Sequence, residues 1–140
     1  GIAQLNKIDY ILQKAQENKQ ILKEQLNKIP GIEMRTFSDE KGSQGDTLIF
    51  SMHNSDAALK LEAVLSANGF GTKILPEAID WHFAGSWGHI LESFDAKEDI
   101  IKNYKKTGEL LTRSICLNIP VIFEQDQINK LASIIKNHIG

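Results

Sequence analysis

Arg113-Ser114-Ile115-Cys116-Leu117-Asn118-Ile119-Pro120-Val121 alternates without a fault, and its reading decides the fold. Ile115, Leu117, Ile119 and Val121 share one face of an extended chain, while Ser114, Cys116, Asn118 and Pro120 share the other. A strand with one greasy and one mostly polar face belongs to a sheet covered on one side, the pattern of antiparallel sheets. From about Gln125 the period changes to that of a helix, with Ile128, Leu131, Ile134 and Ile135 on one stripe.

Working back from that strand, Ala96 to Leu111 reads as a charged helix. Phe70 to Leu75 is a short strand ending at Pro76. Ser55-Asp56 opens a helix carrying Leu59, Leu61, Val64 and Leu65, and Asn68-Gly69 closes it. Ile32 to Phe37 and Thr47 to Met52 are strand candidates joined by the polar, glycine-bearing stretch Ser38 to Asp46, which predicts a hairpin with a mobile, solvated tip. The first helix is expected from about Ile2 to Ile29, stopped by Pro30-Gly31. Its apolar stripe is Leu5, Ile8, Leu12, Ala15, Leu22, Leu26 and Ile29, and Lys7, Lys14, Lys19, Lys23 and Glu24 fall on its other faces. At ~1.5 Å per residue it would be about 40 Å long, more than one small domain covers. Its opening at Gly1 has no capping Ser, Thr, Asp or Asn, as expected of a cut within or just before a longer helix. The sum is α+β: a small, mostly antiparallel sheet with helices packed on one face, preceded by a long N-terminal helix.

Composition narrows the functional classes. With 140 residues the chain suits one core, and a net charge of −2 with no basic stripe argues against nucleic acid as a partner. No apolar run approaches the ~20 residues of a membrane span, and no secretory leader opens the chain. The single Cys116 cannot pair internally, in keeping with a reducing compartment, and its place in an alternating strand suits packing rather than nucleophilic chemistry.

The segment Ala78-Ile79-Asp80-Trp81-His82-Phe83-Ala84-Gly85-Ser86-Trp87-Gly88-His89-Ile90-Leu91 stands apart. It holds both tryptophans and two of the four histidines among small residues. Trp81, Phe83 and Trp87 could wall a sugar ring, His82 and His89 could donate hydrogen bonds to ligand oxygens, and the small residues would let a ligand approach the backbone. Ordinary aromatic packing is the competing account. A zinc site is not expected, since His82 and His89 lie seven apart with no His-Glu-x-x-His pattern.

Three stretches resemble the C-terminal region of the DegT/DnrJ/StrS sugar aminotransferases, which are fold-type-I pyridoxal-phosphate enzymes. Gly1-Ile2-Ala3-Gln4-Leu5-Asn6-Lys7-Ile8-Asp9 resembles the family's Gly-x-x-Gln-Leu-x-x-Leu/Ile-Asp helix between its two domains. Ile29-Pro30-Gly31-Ile32 resembles the stop that follows it. Ser114 to Ile119 with Gln125 to Ile135 is similar to the family's last strand and closing helix, although Asn118 stands where proline is common. The aromatic segment looks most like members that aminate an oxidised eight-carbon sugar acid, the 8-amino-3,8-dideoxy-octulosonate aminotransferase branch.

The resemblance implies residues 1–30 as an interdomain helix and 31–140 as a small domain, with a large domain of the same chain ahead of them. It implies pyridoxal 5'-phosphate in the full-length enzyme but none bound to this portion, because the Schiff-base lysine would lie in the large domain. It further implies glutamate and a keto or aldehyde sugar as substrates, a cytoplasmic homodimer working in surface-polysaccharide synthesis, and substrate contacts from His82, Trp81, His89, Trp87 and Phe83. A self-contained, non-enzymatic α+β ligand-binding or regulatory module is the alternative.

Overall fold

The computed structural model describes residues 1–75, 77–91, 93 and 102–139. Chain order runs α1 (Ile2–Leu5), α2 (Ile8–Leu26), β1 (Glu33–Met34), β2 (Thr47–Ser51), α3 (Ser55–Ala67), β3 (Thr72–Ile74), α4 (Ile79–His82), a 3₁₀ turn (Ala84–Ser86), α5 (Gly88–Leu91), α6 (Lys105–Leu111), β4 (Ser114–Asn118) and α7 (Gln125–Ile139). The strands form one sheet in the order β1-β2-β4-β3, and every neighbouring pair is antiparallel. The α+β class expected from short strands with intervening helices is what forms.

The period of two explains the layering. Leu48 pairs with Leu117 and Phe50 with Ile115, so four apolar side chains share one face of the two central strands. Met34, opposite Phe50, extends that face into β1. Onto it pack Leu22 and Leu26 of α2, Ala58, Leu61 and Leu65 of α3, and Ile128, Leu131 and Ile135 of α7, all at most 1% exposed. The partner face carries Ile49, Cys116, Glu33 and Lys73, on the side away from the core that α2, α3 and α7 cover.

The opening helix departs from a single rod. Asn6 and Lys7 interrupt it: the Lys7 amide bonds to the Gln4 carbonyl at 3.0 Å, a tighter turn, and the helix restarts at Ile8. No residue of α1 is buried, so little tertiary packing holds the helical ladder through Asn6 and Lys7. The expected stripe is sheltered from Ala15 onward, whereas Ile2, Leu5 and Ile8 stand 79%, 66% and 44% exposed.

Other boundaries also move: β3 spans Thr72–Ile74 within the expected Phe70 to Leu75, and β4 spans Ser114–Asn118 within Arg113 to Val121. Asn54 caps α3 instead of Ser55, because its extended backbone brings Oδ1 within 2.9 Å of the Ala57 amide. β1 is two residues rather than the whole of Ile32–Phe37, since the chain leaves the ladder soon after Arg35 to place Phe37 under the Lys19 ammonium, 4.4 Å from the ring centroid. Of the helix expected from Ala96 to Leu111, α6 is seen, and residues 94–101 lie outside the described ones.

The stretch joining β1 to β2 is docked along α2 rather than standing free in solvent. Gln16 Nε2 donates to the Ser43 carbonyl at 2.7 Å and to the Lys41 carbonyl at 3.2 Å, and Lys23 pairs with Glu40. Gly45, at φ +82, lies so close that a Cβ would meet the Gln16 amide nitrogen at 2.5 Å. Lys19, read from its period as a solvated lysine, is thereby buried to 5% exposure, its Nζ 2.8 Å from Ser43 Oγ. Burial pulls its pKa below the ordinary lysine value, with Glu40 opposing and Lys23 adding to the shift.

Ser43→Ala is expected to lower stability by about 1–3 kcal/mol, since a buried ammonium loses its hydroxyl acceptor. Thermal melts should find the Lys19→Met, Ser43→Ala pair less destabilised than Ser43→Ala alone. The unfolded chain holds the Lys19 proton more tightly than the folded one. Stability conferred by this residue should therefore rise with pH towards the ordinary lysine pKa, and that rise should be missing in Lys19→Met.

Candidate functional site

The aromatic segment folds as a series of single turns, which its small residues permit. α4 ends where Phe83 becomes extended, the 3₁₀ turn follows, and α5 begins after Trp87. Backbone bonds chain these turns together: Phe83 N–H to the Ile79 carbonyl at 2.8 Å, Ser86 N–H to Phe83 at 2.9 Å and Leu91 N–H to Trp87 at 3.0 Å. Leu91 is buried.

The five candidate side chains divide into two kinds. Phe83 is half-buried and lies over buried Gly85, where a Cβ would sit 2.3 Å from the ring; the same ring edge is 3.3 Å from the Cβ position of Gly108 in α6. The ring thus holds the segment against α6. Trp87 donates its indole N–H to the Asp80 carbonyl at 2.6 Å and closes the segment on itself. Trp81, by contrast, is 79% exposed, and His82 and His89 are exposed with no side-chain hydrogen bond among the described residues. Trp81 lines a groove of about 280 Å³ with Glu62, Thr72, Lys73, Glu77 and Ala78.

A larger cleft of about 400 Å³ lies on the uncovered sheet face, with Glu33, Arg35, Ile49, Ser51, Ser114 and Leu110 among its walls. Arg113 braces its rim. One guanidinium nitrogen donates to the Ser51 hydroxyl at 3.1 Å and the Met52 carbonyl at 2.6 Å, and the other meets Glu33 Oε2 at 3.1 Å. Sequence reading overlooked this cleft. Its signal was present in the alternation, which sets Ile49 and Cys116 on the face away from the core; Arg113 showed none, because its three partners are distant in the chain.

For metals and cofactors the described residues offer little. No group of three or more His, Cys, Asp or Glu is placed to hold a metal ion among them. Lys19 is the buried lysine, but its amine is engaged by Ser43 and the Phe37 ring and lines neither cleft above. Burial raises the Cys116 pKa, which Lys73 partly offsets, so the thiol stays protonated near neutrality.

No family model matches the sequence. Solved structures do share its fold. Helicobacter pylori PseC, an aminotransferase involved in the biosynthesis of pseudoaminic acid, superposes with a TM-score of 0.69 over 99% of this chain and 35% of its own, at 13% identity. The aminotransferase TlmJ from Streptoalloteichus hindustanus gives 0.67 over 97% of this chain and 34% of its own, at 10% identity. E. coli GDP-4-keto-6-deoxy-D-mannose-3-dehydratase, with bound hydrated PLP, gives 0.64 over 96% and 33%, at 16% identity. The chain spans about a third of the length of the structures it matches. At such identities the likeness is one of fold.

Two outcomes test this geometry. Gly85→Ala must displace the Phe83 ring and should cost about 1–3 kcal/mol; in a double-mutant cycle Phe83→Leu should absorb much of that loss, and simple additivity would refute the packing. Cys116 should react with a thiol reagent at neutral pH markedly more slowly than a free thiol, and slower still in Lys73→Ala.

Proposed function

We propose that this chain is the small domain of a pyridoxal-phosphate-dependent aminotransferase that moves an amino group, from glutamate, onto a keto or aldehyde sugar. Residues 1–30 are its interdomain helix and 31–140 its small domain. One observation carries the reading: nearly the whole chain superposes, as one unit, on about a third of several enzymes, two of them aminotransferases and one a sugar-nucleotide enzyme holding PLP. The exposed Ile2, Leu5 and Ile8 support it, because three apolar residues at helical spacing are then covered by a further domain.

The cofactor and its Schiff-base lysine belong, in this reading, to a large domain ahead of Gly1, and this chain performs no covalent step. Its own contribution is to hold and shield a sugar. Trp81 offers an apolar face; His82 and His89 have ring N–H groups uncommitted within the described residues and would bond sugar hydroxyl or carboxylate oxygens. Phe83 and Trp87 keep the segment in shape behind them as the walls of the site. The full-length protein would act as a cytoplasmic homodimer in the synthesis of surface polysaccharide, an eight-carbon sugar acid being one candidate acceptor.

Added pyridoxal phosphate should leave the visible spectrum of this chain unchanged apart from the free cofactor's own absorbance. The chain joined to its upstream partner domain should show a bound-cofactor band. In that longer enzyme His82→Ala should lower kcat/KM about 10–100-fold with an unchanged melting temperature. Stoichiometric cofactor binding by the chain alone would overturn the domain assignment, and unaltered kinetics would remove His82 from the site.

A further inference from the structure

The groove beside Trp81 has a composition unlike a packing defect. It runs between α3, the edge strand β3 and the start of α4, and it encloses about 280 Å³, just under the roughly 300–1,000 Å³ of pockets for drug-sized ligands. Trp81, on its wall, is 79% exposed, the least covered aromatic residue among the described ones. An indole left in water beside a groove is a flat platform for the C–H face of a sugar ring or for a cation. The other lining groups are polar. Glu62 is half-buried on α3, and one of its oxygens is taken by the Thr72 hydroxyl at 3.4 Å while Oε2 accepts nothing among the described residues. Glu77 and Lys73 are exposed on the same groove.

Charge selects among ring-shaped ligands. Two carboxylates face one ammonium, so the groove is net negative and disfavours a uronic or keto-acid sugar. A sugar bearing a protonated amine satisfies every group at once: its ring covers Trp81, its ammonium meets Glu62 or Glu77, and its hydroxyls accept from Lys73.

We infer that this groove is a binding subsite for a single aminated pyranose, with Trp81 as the stacking platform and Glu62 as the group that reads the amine. The inference goes beyond the aminotransferase reading and does not need it, since it rests on the groove's own residues and makes no use of a cofactor. It assigns Trp81 to this groove in place of the acceptor-sugar contact proposed above, which falls to His82 and His89, neither of which lines the groove.

The test follows the two indole N–H resonances of this chain by NMR while D-glucosamine, D-glucose, D-glucuronate or methylammonium is added at mildly acidic pH, where the sugar amine is charged. The Trp81 resonance, assigned by its loss in Trp81→Phe, should shift saturably with glucosamine, and the Trp87 resonance should stay. Glucosamine should bind about tenfold tighter than glucose, with glucuronate weakest. Glu62→Gln should bring glucosamine to near parity with glucose, and Trp81→Ala should abolish binding of both while the remaining amide spectrum is preserved. Methylammonium binding as tightly as glucosamine would reduce the groove to a cation site, and glucose matching glucosamine would remove amine recognition; either overturns the proposal, as does an unmoved Trp81 resonance. These outcomes are independent of whether a longer chain binds pyridoxal phosphate, so the two readings fail separately.

Discussion

The cross-strand pairing of Leu48 with Leu117 and of Phe50 with Ile115 is the constraint on which this structure depends. A slip of one residue between β2 and β4 would turn all four side chains out of the core and bring Ile49 and Cys116 in. The covering helices have apolar stripes that fit only the existing register: Leu22 and Leu26, Leu61 and Leu65, and Leu131 and Ile135 close over the same four residues. Leu48, Phe50, Ile115 and Leu117 are at most 2% exposed on that face.

The open face and the chain's outer edges are where recognition can occur. Arg113, which enters β4, ties that strand to β2 through Ser51 and to β1 through Glu33, and so sets the rim of the larger cleft. β3, paired among the described residues with β4 alone, leaves an edge beside which α3 and α4 form the Trp81 groove. The packed core fixes the sheet, and the sheet in turn positions the cleft and the groove. An aromatic segment made of one-turn helices is held from behind by Phe83 on Gly85 and by Trp87 on Asp80, which frees Trp81, His82 and His89 at its surface.

Lys19 shows how tertiary context overrides a helical wheel. Its position flanks the apolar stripe of α2, and a lysine there normally extends into water. The segment between β1 and β2 returns over it, held by Gln16 and by the close approach of Gly45, and the ammonium exchanges water for Ser43 and the Phe37 ring. A polar, glycine-bearing connector thus became part of the fold's outer layer.

The order of short strands and helices determined the α+β class, and periodicity located β2, β4 and α7 and most of their inward-facing residues, because a period of two or 3.6 is a local property that burial of one face then enforces; the alternation over Thr47–Met52 and Arg113–Val121 overran the ladders, which span Thr47–Ser51 and Ser114–Asn118. The sequence also marked the aromatic segment as unusual and supplied a resemblance that the shared fold of three enzymes agrees with. The break at Asn6–Lys7, the docking over Lys19, the shortening of β1, the brace at Arg113 and the contacts by which Phe83 and the Trp87 indole hold their segment came only with the tertiary structure. Each depends on a contact between residues far apart in the chain, or, for α1, on the want of one among the described residues, and no local pattern encodes whether such a contact is made.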